Sequence, residues 1–205
     1  MFKRIFDANN PLMQALSVAA DLLVLNLLTL LCSLPVLTLG AALTALNDAV
    51  LRIIRGEDTY LLRSYFRAFR ANLLKGSALG LLFLLAGALV WLDYRVALAV
   101  APPLRFTAAA VGVLVLALAL YAFALLSRYE NTLAGTLKNA ASLAVAFFPK
   151  TLGMVVCTVA IWVICLNFVN YALPVLLLFG LSLPCYVSAL FYTGIFESLE
   201  KEKRL

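Results

Sequence analysis

Asp21 and Asp48 stand inside apolar runs, where a carboxylate is costly unless it is protonated, paired or hydrated. Gln14, Ser17 and Asp21 follow i, i+3, i+7 spacing, so a helix would carry them on one face; Asn26 falls off it. Asp48 and Arg52 are spaced i, i+4 and can pair within one helix, with Asn47 beside them. Contacts of Asp21 with Arg52 or Asn47 are equally open. Two chemistries fit these residues. Asp21, Asn26, Asn47, Asp48 and Arg52 could form a solute or proton site between two membrane spans. They could instead form a buried polar latch that holds the two helices together.

Enzymatic chemistry finds little to work with. The chain has no histidine, which removes the commonest general base and metal ligand. It has no Walker loop, no nucleophile elbow and no zincin motif. Cys32, Cys157, Cys165 and Cys185 lie in apolar runs without CxxC spacing, as small buried hydrophobes would. The expectation is a non-enzyme with no cofactor and no metal.

A second constellation is basic and aromatic. In Tyr60–Lys75, Arg63, Arg67 and Arg70 recur at i, i+4 and i+7. Leu62, Tyr65, Phe66, Phe69 and Leu73 take another face. Flanked by hydrophobic runs, this stretch reads as a helix on the cytoplasmic membrane surface. Arg63, Arg67, Arg70 and Lys75 would contact anionic lipid or a protein partner there.

The elements that must position these residues follow from composition. Of 205 residues, 65% are hydrophobic and 13% charged, with a mean hydropathy of +1.04. Soluble domains average about 45–50% apolar and about 25% charged, so lipid must solvate much of this surface. Six runs are candidate spans: Leu12–Leu34, Leu39–Ile54, Gly76–Leu92, Phe106–Leu126, Thr151–Val169 and Pro174–Phe196. The first exceeds a signal-peptide core of about 7–15 residues and reads as an uncleaved span, capped by Asn10 before Pro11. The second is short, and Thr38 is its expected cap; its other reading is a re-entrant or interfacial segment. Gly180 and Pro184 predict a kink in the last span. A second surface helix is expected over Thr132–Phe148, stopping at Pro149-Lys150. Lys75 and Lys150 each precede a span, so the order surface helix, lysine, span recurs; a duplication and a coincidence of spacing both fit.

Six crossings put 14 of the 16 Lys+Arg on one side, leaving Arg95 and Arg105 for the other. The positive-inside rule then places both termini in the cytoplasm. The expected fold is all-α: one membrane domain over residues 1–205, with about six transmembrane helices and one or two cytoplasmic amphipathic surface helices. The net charge of +6 lies between apolar runs, where anionic lipid explains it better than nucleic acid.

Asp21-Leu-Leu-Val-Leu-Asn26, the turn Leu34-Pro-Val-Leu-Thr-Leu-Gly-Ala41 and Tyr65-Phe-Arg-Ala-Phe-Arg-Ala-Asn72 resemble the YesL family of bacterial membrane proteins. The later spans match only in general character. The resemblance implies a plasma-membrane protein of unknown biochemical function, associated with carbohydrate uptake, and supplies no catalytic residue. Subunits of an ABC sugar importer or a regulatory membrane protein are the partners it suggests, beside the lipid bilayer; a homo-oligomer is also open. The competing function is a small-solute transporter or channel using the polar site between the first two spans.

Overall fold

A computed structural model describes residues 11–57, 60–100, 102–129, 131–167 and 178–202. The Lys3-Arg4 pair, the Asn10 cap and the start of the expected last span lie outside the described residues. Among the described residues there are eight regular helices, two short 3-10 turns and no strand. The helices are α1 Pro11–Cys32, α2 Leu39–Arg55, α3 Leu61–Ala71, α4 Leu73–Val100, α5 Arg105–Arg128, α6 Leu133–Ala146, α7 Phe148–Asn167 and α8 Ser182–Glu202. Five stretches are long and apolar enough to cross a bilayer: Met13–Cys32, Val36–Arg55, Leu73–Leu98, Arg105–Arg128 and Phe148–Cys165. The chain is a polytopic helical membrane protein. Ser182–Phe196 is a shorter apolar helix.

Local chemistry sets the boundaries. Gly56 takes a left-handed φ of 67° and its N–H closes on the Arg52 and Ile53 carbonyls, ending α2. Thr132 caps α6 by accepting from the Gly135 N–H at 3.2 Å. The α6–α7 break falls at Phe147, before the expected stop; Pro149 sits in the first turn of α7, where its missing N–H has no helical partner to lose. Thr38 does not cap α2 through its side chain. Its hydroxyl faces the Cys32 and Pro35 carbonyls at 2.6 and 2.8 Å, tying the end of α1 to the start of α2.

The surface helix expected over Tyr60–Lys75 is two elements. It breaks at Asn72, and Lys75 belongs to the first turn of α4. The third span continues past Leu92 because no helix breaker intervenes before Pro102-Pro103. At about 1.5 Å per residue α4 is about 42 Å long, longer than a bilayer core of about 30 Å. Arg95 lies over the Trp91 ring, 5.2 Å from its centroid, near the far end. Exposed Leu85, Leu89, Leu114, Val156 and Ile164 give the outer surface a lipid-facing character.

Side-chain pairings set the relative heights of the helices. Phe83 of α4 meets Phe123 of α5, Tyr121 of α5 meets Thr151 of α7, and Tyr129 just after α5 meets Phe196 of α8. The start of α4, the end of α5, the start of α7 and the end of the apolar part of α8 thus gather at one end of the bundle. Lys75, Arg128 and Lys150 stand there, so it is the basic end.

Helix α2 is the hub, touching α1, α3, α4, α5 and α8, with ten buried residues. Its first turn packs backbone to backbone on the first two turns of α4. A Cβ added at Gly40 would sit 2.6 Å from Gly80 Cα and would also strike the Gly76 carbonyl. Gly76 and Gly80 form a small-x-x-x-small stripe that permits this approach. The first turn of α2 therefore lies near the start of α4. Farther along α2, Asp48 and Arg52 share a cleft with Asn72 and Lys75.

Candidate functional site

The polar residues singled out by sequence do not gather into one site: Asn26, Asn47 and the Asp48–Arg52 pair each make their own contacts. Asn26 is buried on α1, and its Oδ1 accepts from the backbone N–H groups of Leu181 and Ser182 at 2.8 and 3.0 Å. One side chain thereby caps the start of α8 from another helix, where the chain turns at Gly180-Leu181. Asn47 accepts from the Tyr192 hydroxyl at 2.7 Å and donates to the Leu43 carbonyl at 2.9 Å. Arg52 Nε and Nη2 reach the two Asp48 oxygens at 2.9 and 3.4 Å, the i, i+4 pair that spacing predicted. Asp21 is half-buried on α1, five residues before Asn26 and on a different face.

Sequence reasoning missed two other contacts. Tyr65 of α3 is 0% exposed, and its hydroxyl donates to Thr29 Oγ1 at 3.2 Å, with the Ala42 carbonyl at 3.5 Å. Burial pushes the Tyr65 phenol above its ordinary range; the Thr29 bond opposes this more weakly. Helix α3 is therefore bolted to α1 and α2 and does not float on lipid. Its signal was the aromatic face opposite the arginines. Thr158 of α7 and Ser188 of α8 share a hydrogen bond of 3.1 Å, so Ser188, like Tyr192, is an interhelical tie, whereas the Thr193 hydroxyl bonds back to Ala189 within the helix. A cavity of about 170 Å³ lies between α2, α5, α7 and α8, and its polar lining is Asn47, Thr158 and Ser188.

The larger concavities are at the basic end. One of about 910 Å³ is lined by Arg52, Arg63, Arg67 and Arg70, with Glu57, Tyr60 and Phe66. The other, about 430 Å³, is lined by Arg52, Arg67, Lys75 and Arg128, with Asp48. They share Arg52 and Arg67, so six cations from α2, α3, α4 and α5 line two adjoining concavities together with two carboxylates. Three of the four expected contact residues, Arg63, Arg67 and Arg70, lie on α3; Lys75 joins them from α4 and donates to the Asn131 carbonyl at 3.3 Å. Arg128 was legible as a charge at a span end, but not as part of this cleft. Its guanidinium lies 5.2 Å from the Phe196 ring centroid and 5.7 Å from that of Tyr129.

A family model described as a protein of unknown function, DUF624, matches residues 22–94. The match covers the second half of α1, all of α2 and α3, and most of α4. It therefore contains Asn26, Asn47, the Asp48–Arg52 pair, the three α3 arginines and the glycine crossing. No curated protein and no solved structure matches the chain.

Proposed function

We propose that this chain is a non-enzymatic accessory protein of the bacterial plasma membrane, linked to carbohydrate uptake, whose basic end faces the cytoplasm. The link to carbohydrate uptake comes from the YesL resemblance. The observation that carries the structural part is the gathering of six cations at one end of the bundle, set against Arg95 and Arg105 toward the other.

The same end receives the last turn of α1. Thr38 ties Cys32 to the start of α2, and Gly40 rests on Gly76 and Gly80. From there α1 runs on to Asn26, about 9 Å farther along the helix, which meets the start of α8 at Ser182. On this reading α2 is embedded at the basic end without carrying the chain across. The membrane crossings are α1, α4, α5, α7 and the last span, so the N-terminus faces outward and the C-terminal tail inward. This departs from the both-termini-inside arrangement that charge counting suggests. Among the described residues Arg95 and Arg105 lie toward the far side, and the other lysines and arginines keep to the basic side. The positive-inside bias survives.

The bonds of Asn26, Asn47, Asp48 and Arg52 favour structural ties over a transport path, although the ties run from α1 and α2 to α8 and within α2, not between the first two spans. Detergent extracts of native membranes, passed over the tagged chain, should retain subunits of a sugar importer or a membrane regulator. The combined Arg63→Gln, Arg67→Gln and Arg70→Gln variant should retain them at least several-fold less. Equal recovery by the two chains would remove the arginine face from the account of partner binding.

A further inference from the structure

We infer that the cleft between α2, α3 and the end of α5 is a binding site for the phosphate of an anionic phospholipid headgroup. The reading goes beyond the accessory role and does not depend on which protein partner is engaged.

Arg63, Arg67 and Arg70 follow one another at i, i+4 and i+7 on α3, and like charges at such spacing repel. Among the described residues none of the three forms an ion pair, whereas Arg52 is matched by Asp48 and Arg55 approaches Glu57 at 3.8 Å. The arginine face cannot roll away to spread its charge, because Tyr65 fixes the opposite face of α3 to Thr29. A rigid cationic wall whose three arginines form no ion pair among the described residues is the electrostatic arrangement that an anion completes.

Guanidinium groups favour phosphate, since their planar forks donate to two oxygens at once. The rest of the lining selects the lipid source. Tyr60 and Phe66 stand in the same wall as the arginines and are 71% and 42% exposed, with Leu62 beside them at 52%. Inorganic phosphate would gain nothing from this apolar rim, whereas a phospholipid brings glycerol and acyl carbons to it and can use its full width. The cleft also adjoins the first turn of α4, where the headgroup layer meets a span.

The test uses the purified full chain in detergent, with bound lipid read by native mass spectrometry. Phosphatidylglycerol and phosphatidylcholine are supplied in equal amounts. The expected result is preferential retention of phosphatidylglycerol, weakened at least about tenfold in the triple Arg63→Gln, Arg67→Gln, Arg70→Gln variant. Arg95→Gln with Arg105→Gln, a smaller charge change at the other end, should leave the preference intact. Arg67→Lys should retain most of it, and a thermal melt of each variant separates lost binding from lost fold. Equal retention of the two lipids overturns the inference. So does a loss of preference in the Arg95/Arg105 variant that equals the loss in the triple variant. Displacement of the lipid by millimolar inorganic phosphate or a hexose phosphate assigns the cleft to a free phosphate ester and overturns the lipid assignment.

Discussion

Gly40→Ala is expected to destabilise this protein by about 3 kcal/mol or more. The new Cβ would lie 2.6 Å from both the Cα and the N of Gly80, and backbone cannot swing aside as a side chain can. Overpacking of an ordinary core costs about 1–3 kcal/mol, and a backbone collision belongs at or above the top of that range. For a chain of this size 3 kcal/mol corresponds to a fall in Tm of roughly 6–12 °C. Gly80→Ala should behave alike, and the two together should cost less than their sum, because one separation of α2 from α4 relieves both. Gly87→Ala is the control: its Cβ would meet nothing within 4 Å, so the melt should barely move. Thermal unfolding in detergent, followed by size-exclusion chromatography, reads all four. A Gly40→Ala protein as stable as the Gly87→Ala protein would mean that α2 and α4 do not cross at these glycines.

Asn26→Leu carries the second large effect. Asn26 Oδ1 serves two backbone donors at the start of α8, and the residue is 0% exposed. Water cannot replace it in a bilayer interior, so both N–H groups would lose their acceptor. Each unsatisfied buried group costs about 1–3 kcal/mol, which puts the pair at about 2–4 kcal/mol after partial relaxation. Asn26→Asp keeps an acceptor oxygen at a helix N-terminus, where negative charge is favoured, and should lose less. Amide hydrogen exchange at Leu181 and Ser182 should accelerate in the leucine variant and much less in the aspartate variant. Unchanged exchange in both would show that the cap contributes nothing to holding α8.

Most helices were legible because their causes are local. Pro11, Gly56, Thr132 and the apolar runs mark their own boundaries, and the Asp48–Arg52 pair follows from spacing alone. The depth of α2 was not legible. A run of alanines and leucines with one carboxylate and two arginines satisfies length and hydropathy whether it crosses the bilayer or lies across one end of a bundle. On the proposed topology the meeting of Gly40 with Gly76 and Gly80 favours the second, and that contact joins residues 36 or more positions apart. The cleft was half legible for the same reason. Three of its arginines share a helix face, but Arg52, Lys75 and Arg128 reach it from α2, α4 and α5. Asn26 read as a residue off the Asp21 face because its partners, the backbone donors of Leu181 and Ser182, carry no side-chain signature at all.

The placement of α2 at the basic end, with the N-terminus opposite, is the claim on which the rest depends. A chain with its four native cysteines replaced, carrying a single cysteine at Asn9 or at Lys138, tests it in intact cells with a membrane-impermeant thiol reagent. Five crossings with α2 lying across the inner end predict that Asn9→Cys is labelled in intact cells and Lys138→Cys only after the membrane is opened. Protection of both positions until lysis would place both on the cytoplasmic side, restore a crossing α2, and contradict the account.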